Sequence, residues 1–139
     1  MGTEVLILVV EDDLVDIMTI KRAFKDIKIT NPIIICHNGL EALEYLKKPL
    51  NKRPGLILLD INMPKMNGIE FLEVIKKDKE FKSIPVVVLT TSKAEQDKME
   101  SFNLGIAGYM IKPVDYLQFV ETVKTIHLYW TLSELPDKK

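Results

Sequence analysis

Four polar side chains sit at the ends of short hydrophobic runs, and between them they offer carboxylates, a hydroxyl and a cation. They are Asp12, Asp60, Thr90 and Lys112. Hydrophobic runs of this length are typical of buried strands in a parallel sheet. The carboxyl ends of such strands lie along one edge, where ligands bind. We therefore expect these distant residues to meet in one small site.

The acidic residues suggest a metal. Glu11-Asp12-Asp13 places three carboxylates together, and Asp60 adds a fourth. Adjacent strands lie ~4.8 Å apart, so carboxylates at neighbouring strand ends can hold one ion. Their mutual repulsion also calls for a cation, and oxygen ligands favour partly hydrated Mg²⁺. An alternative stays open: the acidic run could simply be solvated at the start of a helix, where the dipole favours acids.

Asp60 is the candidate nucleophile. An aspartate beside bound Mg²⁺ can attack a phosphoryl group and become an aspartyl phosphate. Such transfer depends on alignment and on cancellation of charge. Lys112 is long enough to bring an ammonium to the phosphoryl oxygens, and Thr90 could donate its hydroxyl. Each residue alone has an ordinary explanation as a turn acid, a helix cap or a surface lysine. Their joint order at the ends of strands one, three, four and five favours a common site.

Strand-like and helix-like patterns alternate along the chain. Strands are predicted at 5–10, 33–36, 56–59, 86–89 and from Gly108. Helices are predicted at about 14–27, 40–48, from 69, 93–104 and 116–134, with Asp13, Ser92 and Asp115 as possible caps and Gly105 ending the fourth. Five such alternations predict an α/β domain with a parallel sheet covered on both faces.

Composition limits the function classes. The 139 residues predict one domain over 1–139, with a core of about 4–127 and an extended helix and tail at 128–139. The net charge of −1 gives no electrostatic case for nucleic acid or an anionic membrane. Cys36, the single cysteine, is expected to be a buried apolar residue in a reducing compartment. No apolar run approaches the ~18 residues of a membrane span, so we expect a cytoplasmic protein.

Several motifs together resemble the receiver domain of two-component response regulators. They are Val10-Glu11-Asp12-Asp13, Asp60-Ile61-Asn62-Met63-Pro64 with Gly68, Thr90, Ala107-Gly108-Tyr109 and Lys112-Pro113. The resemblance covers nearly the whole chain. It implies a flavodoxin-like (βα)5 fold, a doubly wound five-stranded sheet in the order 2-1-3-4-5.

The resemblance also implies roles for the acidic residues. Asp60 corresponds to the aspartate that accepts a phosphoryl group from the phosphohistidine of a sensor histidine kinase, with Mg²⁺ as cofactor. Asp12 corresponds to a direct metal ligand and Glu11 to one acting through water. The backbone carbonyl of Asn62 corresponds to a further ligand. Members of this family assist their own phosphorylation but are signalling proteins rather than enzymes.

The remaining correspondences concern the switch. Thr90 matches the hydroxyl that moves toward the phosphoryl group, and Lys112 matches the lysine that pairs with it. Tyr109 matches the aromatic residue that rotates inward behind the hydroxyl, which biases a surface made of helix four, strand five and helix five. The Lys112-Pro113 peptide bond is expected to be cis. Because no effector domain is evident, we expect a stand-alone receiver whose output is contact with an unidentified target protein.

The last helix suggests a further interface. Its core stripe consists of Phe119, Val123, Ile126 and Trp130, while other faces carry Leu128, Tyr129, Leu132 and Leu135. An exposed apolar patch with aromatic residues is typical of an interface. This region is similar to the tail of single-domain receivers that serve phytochrome-type kinases. We expect a homodimer through helix five, strand five and helix four; the alternative is a helix folded back on its own domain.

Three residues near the site bear on the lifetime of a phosphoryl group. Thr91 is bulkier than the residue usual at this position, and neither Asn62 nor Ser92 is acidic or strongly basic. We therefore expect slow, unassisted decay. His37 and His127 are interpreted as ordinary polar positions, because the histidine donor belongs to the kinase.

Three other functions are weighed against this one. An aspartate-nucleophile phosphatase would place a second aspartate where Asn62 stands. A flavodoxin-like flavin module would want a Gly/Ser/Thr-rich loop where Glu11-Asp12-Asp13 stands, and these acids would repel a flavin phosphate. A degenerate receiver acting as a constitutive scaffold is opposed by the presence of Asp60, Thr90 and Lys112.

Overall fold

The fold is seen in a computed structural model that describes residues 5–26, 28, 30–91, 95–112, 117 and 121. The strands in these residues are β1 (Ile7–Val10), β2 (Ile33–Cys36), β3 (Leu56–Leu59), β4 (Val86–Thr90) and β5 (Gly108–Ile111). The helices are α1 (Leu14–Asp26), α2 (Gly39–Lys47), α3 (Gly68–Lys76) and α4 (Glu95–Asn103). All strand pairs are parallel, in the order β2-β1-β3-β4-β5, which confirms the predicted topology.

The register of the sheet aligns the strand ends that carry the polar residues. Val10 of β1 pairs with Cys36 on one side and with Leu59 on the other. Strands β1, β3 and β4 are buried throughout, because helices cover both faces of the sheet. Alternate residues of β1 therefore enter two different cores. Leu8 packs on the face of α2 and α3, and Val9 packs with α1.

Capping side chains fix where the helices begin. Asp13 Oδ1 accepts backbone hydrogen bonds from Val15 at 2.8 Å and from Asp16 at 3.1 Å, as expected for the cap of α1. Asn67 and Glu70 form a reciprocal capping box at the start of α3. Gly105 has a φ of +85° just after α4, a conformation that suits glycine at a helix end.

Two of the predicted strand boundaries need correction, and α2 and α3 each begin one residue earlier than predicted. β1 begins at Ile7 rather than at residue 5, because the Val5 carbonyl accepts a hydrogen bond from the side chain of Asn31 instead of joining the strand ladder. Thr90 is the last residue of β4 rather than the first after it, since it pairs with Ile111. The cap at Ser92, the cap at Asp115, the Lys112-Pro113 peptide and the last-helix patch lie outside the described residues.

None of the helices in the described part of the chain is long and apolar enough to cross a membrane. Cys36 is buried at the end of β2, as expected for an apolar role.

Candidate functional site

The polar residues singled out in the sequence meet at the carboxyl edge of the sheet. Glu11 and Asp12 follow β1, Asp60 follows β3, Thr90 ends β4 and Lys112 follows β5. All of them are buried except Asp12, which is exposed. Burial of this many polar groups is costly unless they pair with one another or with a ligand. Their pairing therefore indicates what the site can do.

Three carboxylates form a compact oxygen cluster. One oxygen from each of Glu11, Asp12 and Asp60 can be chosen so that all lie within 4.8 Å of one another. The Oδ1 atom of Asp60 is buried and has no hydrogen-bond partner among the residues that the structure describes. An all-oxygen donor set with an unpartnered carboxylate oxygen suits a hard cation, so these residues fit Mg²⁺.

Lys112 brings an ammonium into the acidic cluster, where it contacts three carboxylates. Its Nζ atom lies 2.7 Å from Glu11 Oε1 and 2.7 Å from Asp16 Oδ2, but 3.8 Å from Asp60 Oδ1. Asp16 was not among the predicted site residues. The one signal in the sequence is its place in the first turn of α1, four residues after Asp12. An acid at that position is equally well explained by its favourable interaction with the helix dipole.

The pKa values of Glu11 and Asp60 are raised, which indicates that Lys112 alone does not balance the negative charge of the cluster. Burial raises the pKa of Glu11 to about 7, and the charge of Asp60 adds to this, while the hydrogen bond from Lys112 opposes it. Burial also raises the pKa of Asp60, against the opposing effects of Lys112 and of a hydrogen bond from Thr90. For Lys112, burial works to lower the pKa, but the hydrogen bonds to Asp16 and Glu11 outweigh it and the pKa is raised. A divalent cation would relieve this imbalance.

Thr90 contacts both the loop after β3 and the edge strand β5. Its side chain is fully buried, and the amide of Asn62 lies 3.5 Å from Thr90 Oγ1 and 3.3 Å from Thr91 Oγ1. The backbone carbonyl of Thr90 accepts a hydrogen bond of 2.6 Å from the Lys112 amide. The hydroxyl and the ammonium are therefore carried on one hydrogen-bonded pair of strand ends.

Tyr109 lies on β5, away from the acidic cluster. It is half-buried, and its ring centroid lies 6.3 Å from that of Phe102 on α4, with 34° between the ring planes. Phe102 is exposed. The two rings thus connect the edge strand to α4 at the surface.

His37 is exposed and pairs with Glu41 at 3.2 Å, which fits an ordinary polar position. His127 lies outside the described residues.

Comparison with known proteins agrees with this site. The family model described as "Response regulator receiver domain" matches residues 7–124. The chain is 37% identical over 128 residues to "Probable methanogenesis regulatory protein FilR2" of Methanothrix harundinacea, covering 90% of this chain and 83% of that protein. It is also 37% identical over 129 residues to "Response regulator Rcp1" of Synechocystis sp., covering 90% of this chain and 88% of the relative.

Solved structures give the same result. The Mn²⁺-bound form of response regulator Rcp1 superposes with a TM-score of 0.79 at 37% identity, covering 90% of this chain and 93% of that one. The phosphorylated cyanobacterial phytochrome response regulator RcpA gives a TM-score of 0.81 at 37% identity, covering 93% and 95%. With this fold, this acidic edge and these matches, the chain belongs to the response regulator receiver domain family.

Proposed function

We propose that this receiver accepts a phosphoryl group from the phosphohistidine of a sensor histidine kinase onto Asp60, using Mg²⁺, and signals by contact with other proteins. The observation that carries the proposal is the buried Oδ1 atom of Asp60, which has no hydrogen-bond partner. Unpartnered buried oxygens are rare in proteins and point to an unmet role. Asp60 belongs to the acidic cluster, and this oxygen lies 3.8 Å from the ammonium of Lys112.

The transfer needs little acid–base chemistry from the protein. An Asp60 carboxylate oxygen forms the new bond to phosphorus, the bond from phosphorus to the kinase imidazole nitrogen breaks, and its electron pair stays on that nitrogen. The product is an acyl phosphate on Asp60. The added negative charge needs compensation at a site already rich in carboxylates. Lys112, 3.8 Å from Asp60 Oδ1, is the cation placed to supply part of it, and the Thr90 hydroxyl is the neighbouring donor.

The ligands proposed for Mg²⁺ are Asp12, Asp60 and the backbone carbonyl of Asn62, with Glu11 acting through water. When bound, the ion would cancel charge on the phosphoryl oxygens. Asp12 is the exposed member of the cluster, which suits a metal that keeps several waters. The structure of the relative Rcp1 with Mn²⁺ supports a divalent ion in this family.

The proposed phosphoryl group is long-lived, because Asn62, two residues after Asp60, carries an amide rather than an acid or a base. The Asn62 amide lies 3.5 Å from the Thr90 hydroxyl and 3.3 Å from the Thr91 hydroxyl. An amide cannot shuttle a proton as a carboxylate can. Asn62 also stands where an aspartate-nucleophile phosphatase would place its second aspartate, which weakens that alternative.

The surface proposed to meet the kinase is the start of α1. Leu14, Val15 and Met18 are 71%, 70% and 60% exposed, beside the loop that carries Asp12. Exposed apolar groups that adjoin one another mark interaction surfaces. A Met18→Glu variant should slow transfer from a cognate kinase but not from acetyl phosphate. The matched control is Leu50→Glu, since Leu50 is fully exposed on the α2–β3 loop.

The proposed output surface includes α4 and β5, where Phe102 and Tyr109 meet. We also predict that Tyr109 rotates inward on phosphorylation and that the protein forms a homodimer. Its stand-alone organisation and its cytoplasmic location are predictions as well. A phytochrome-type kinase as partner rests on the likeness to the phytochrome response regulator RcpA.

Intact-mass spectrometry tests the central step. Wild type treated with acetyl phosphate and Mg²⁺ should gain the mass of one phosphoryl group, and Asp60→Asn should gain none. No gain in wild type, from acetyl phosphate or from a phosphorylated kinase, would favour the constitutive scaffold. A gain that persists in Asp60→Asn would place the label elsewhere. Steady turnover of a phosphate monoester would favour the phosphatase.

A further inference from the structure

Asp16 holds the ammonium of Lys112 more closely than Asp60 does. The Asp16 Oδ2 to Lys112 Nζ distance is 2.7 Å, as short as the distance from Nζ to Glu11 Oε1. The distance from Nζ to Asp60 Oδ1 is 3.8 Å, which is too long for a hydrogen bond. Asp60 Oδ1 accordingly has no hydrogen-bond partner, although a cation lies close by.

The three carboxylates around this ammonium compete for it. A lysine ammonium has three donors, and charge-assisted hydrogen bonds of about 2.7–2.9 Å are the strong ones. Two of these donors make the short contacts, which hold Nζ 3.8 Å from Asp60 Oδ1. For Nζ to move closer to Asp60, one of the two short contacts must lengthen. The Asp16 side chain is 31% exposed, whereas that of Glu11 is 3% exposed. Water can solvate the Asp16 carboxylate after separation, so its contact is the less costly one to break.

We propose that Asp16 is a positioning residue that competes with the phosphoacceptor for Lys112, and so limits how readily Asp60 is phosphorylated. In the resting protein Asp16 holds the ammonium. As the phosphoryl group arrives, Lys112 leaves Asp16 and pairs with the new oxygens, while Asp16 turns to solvent. This inference rests on the proposed function, because it concerns the transfer to Asp60.

The first test compares phosphorylation rates with acetyl phosphate at saturating Mg²⁺. Asp16→Asn should raise the rate constant about fivefold, since coupling between contacting charges is commonly of this size. Asp16→Glu keeps a carboxylate that can accept from Lys112, so its rate should stay close to that of wild type. Glu44→Gln is the matched control, because it removes one negative charge from an exposed position on α2. It should leave the rate unchanged.

The second test asks whether the effect passes through Lys112. In a Lys112→Met background, Asp16→Asn should no longer raise the rate, because there is no ammonium to release. Urea unfolding without Mg²⁺ supplies a readout independent of chemistry. The Asp16→Asn and Lys112→Met effects on stability should be less than additive when combined. Asp16→Ala serves the same comparisons should the asparagine variant fold poorly.

The two levels of the proposal fail in different ways. If wild type takes up no phosphoryl group, the proposed function fails. If wild type is phosphorylated but the neutral Asp16 variants are unchanged or slower, the positioning role of Asp16 is wrong. If Asp16→Asn accelerates phosphorylation equally with and without Lys112, the positioning role is also wrong. The effect would then come from the loss of one negative charge near the site and not from release of the ammonium. Strictly additive stabilities would show that the resting contact does not form.

Discussion

Gly68 packs directly against the backbone of Asp60, and a Cβ atom at Gly68 would lie 2.5 Å from the Asp60 carbonyl oxygen. The Gly68 amide also donates a hydrogen bond of 2.9 Å to the Ile61 carbonyl. The start of α3 is thereby set against the end of β3. The shape of the loop between them, which carries Asn62, depends on this close approach.

We therefore expect Gly68→Ala to destabilise the protein by about 1–3 kcal/mol and to slow phosphorylation of Asp60. The neighbouring atoms are backbone, which can move only if the loop moves. Urea unfolding and intact-mass kinetics measure the two effects. Gly105→Ala is the matched control, because Gly105 has a φ of +85° but nothing within 4 Å of its Cβ position. It should cost stability without changing the phosphorylation rate. A Gly68→Ala protein with wild-type kinetics would contradict the dependence of the site on this contact.

Removing the buried charge of Asp60 should stabilise the metal-free protein. Asp60→Asn relieves the repulsion with Glu11 and Asp12, and we expect a gain of about 1–3 kcal/mol in EDTA. The variant should also lose the stabilisation that Mg²⁺ gives to wild type by binding the folded state. Thermal unfolding with and without Mg²⁺ measures both changes.

Asp12→Asn is informative in the same experiment, since Asp12 is exposed and its repulsion is better screened. Asp12→Asn should reduce the stabilisation that Mg²⁺ gives, and it should add little to the stability measured in EDTA. Equal Mg²⁺ stabilisation of wild type and both variants would argue against a metal at this cluster.

Ser101 on α4 is fully buried, and within the described part of the chain its hydroxyl has no hydrogen-bond partner. Ser101→Ala removes a desolvated polar group, so we expect a gain of about 1 kcal/mol in the free energy of unfolding. Ser83→Ala is the comparison, because the Ser83 hydroxyl accepts an exposed hydrogen bond of 2.9 Å from Arg53. That change should be close to neutral. A loss of stability in Ser101→Ala would mean that the hydroxyl is satisfied in solution.

The Cys36 thiol should be unreactive in the folded protein. Burial, with a smaller contribution from Glu41, raises its pKa from 9.0 to about 11. At pH 8 the thiolate fraction is then about 100-fold lower than in the unfolded chain, and access is blocked as well. Iodoacetamide should label the native protein at least that much more slowly than the protein in urea. Similar rates in both would show that the end of β2 opens readily.

The same shift fixes the sign of a pH dependence. Since the folded pKa is the higher one, the folded state retains the thiol proton where the unfolded state loses it. The contribution of Cys36 to stability is therefore full below pH 9 and is lost as the pH rises toward 11. A Cys36→Ala variant should lack this part of the alkaline decline.

Local sequence predicted the elements that depend on local physics. The limits of β2 and β3 match the predicted 33–36 and 56–59, because each is a short apolar run bounded by Pro, Gly or a polar residue. The convergence of Asp12, Asp60, Thr90 and Lys112 followed from the parallel topology. Asp16 could not be predicted in the same way, since it lies on α1 rather than at a strand end, and the sheet topology does not show which helix side chains reach Lys112.

The pairing of Lys112 was also beyond the sequence. Which of several nearby carboxylates holds an ammonium depends on differences in distance of about an ångström, and residue type does not encode these. The end of β4 was misplaced by one residue for a related reason. A threonine suits both the end of a strand and the loop after it, and only its pairing with Ile111 decides between them.

The hydrogen bond from the Lys112 amide to the Thr90 carbonyl has a practical consequence for engineering. Thr90 offers the hydroxyl, Lys112 offers the cation, and one backbone hydrogen bond joins the two residues. Replacing either strand alone with that of another receiver would therefore shift the positions of both side chains. Chimeras that aim to alter signal lifetime should therefore exchange β4 and β5 together and keep the acidic cluster of Glu11, Asp12 and Asp60 unchanged.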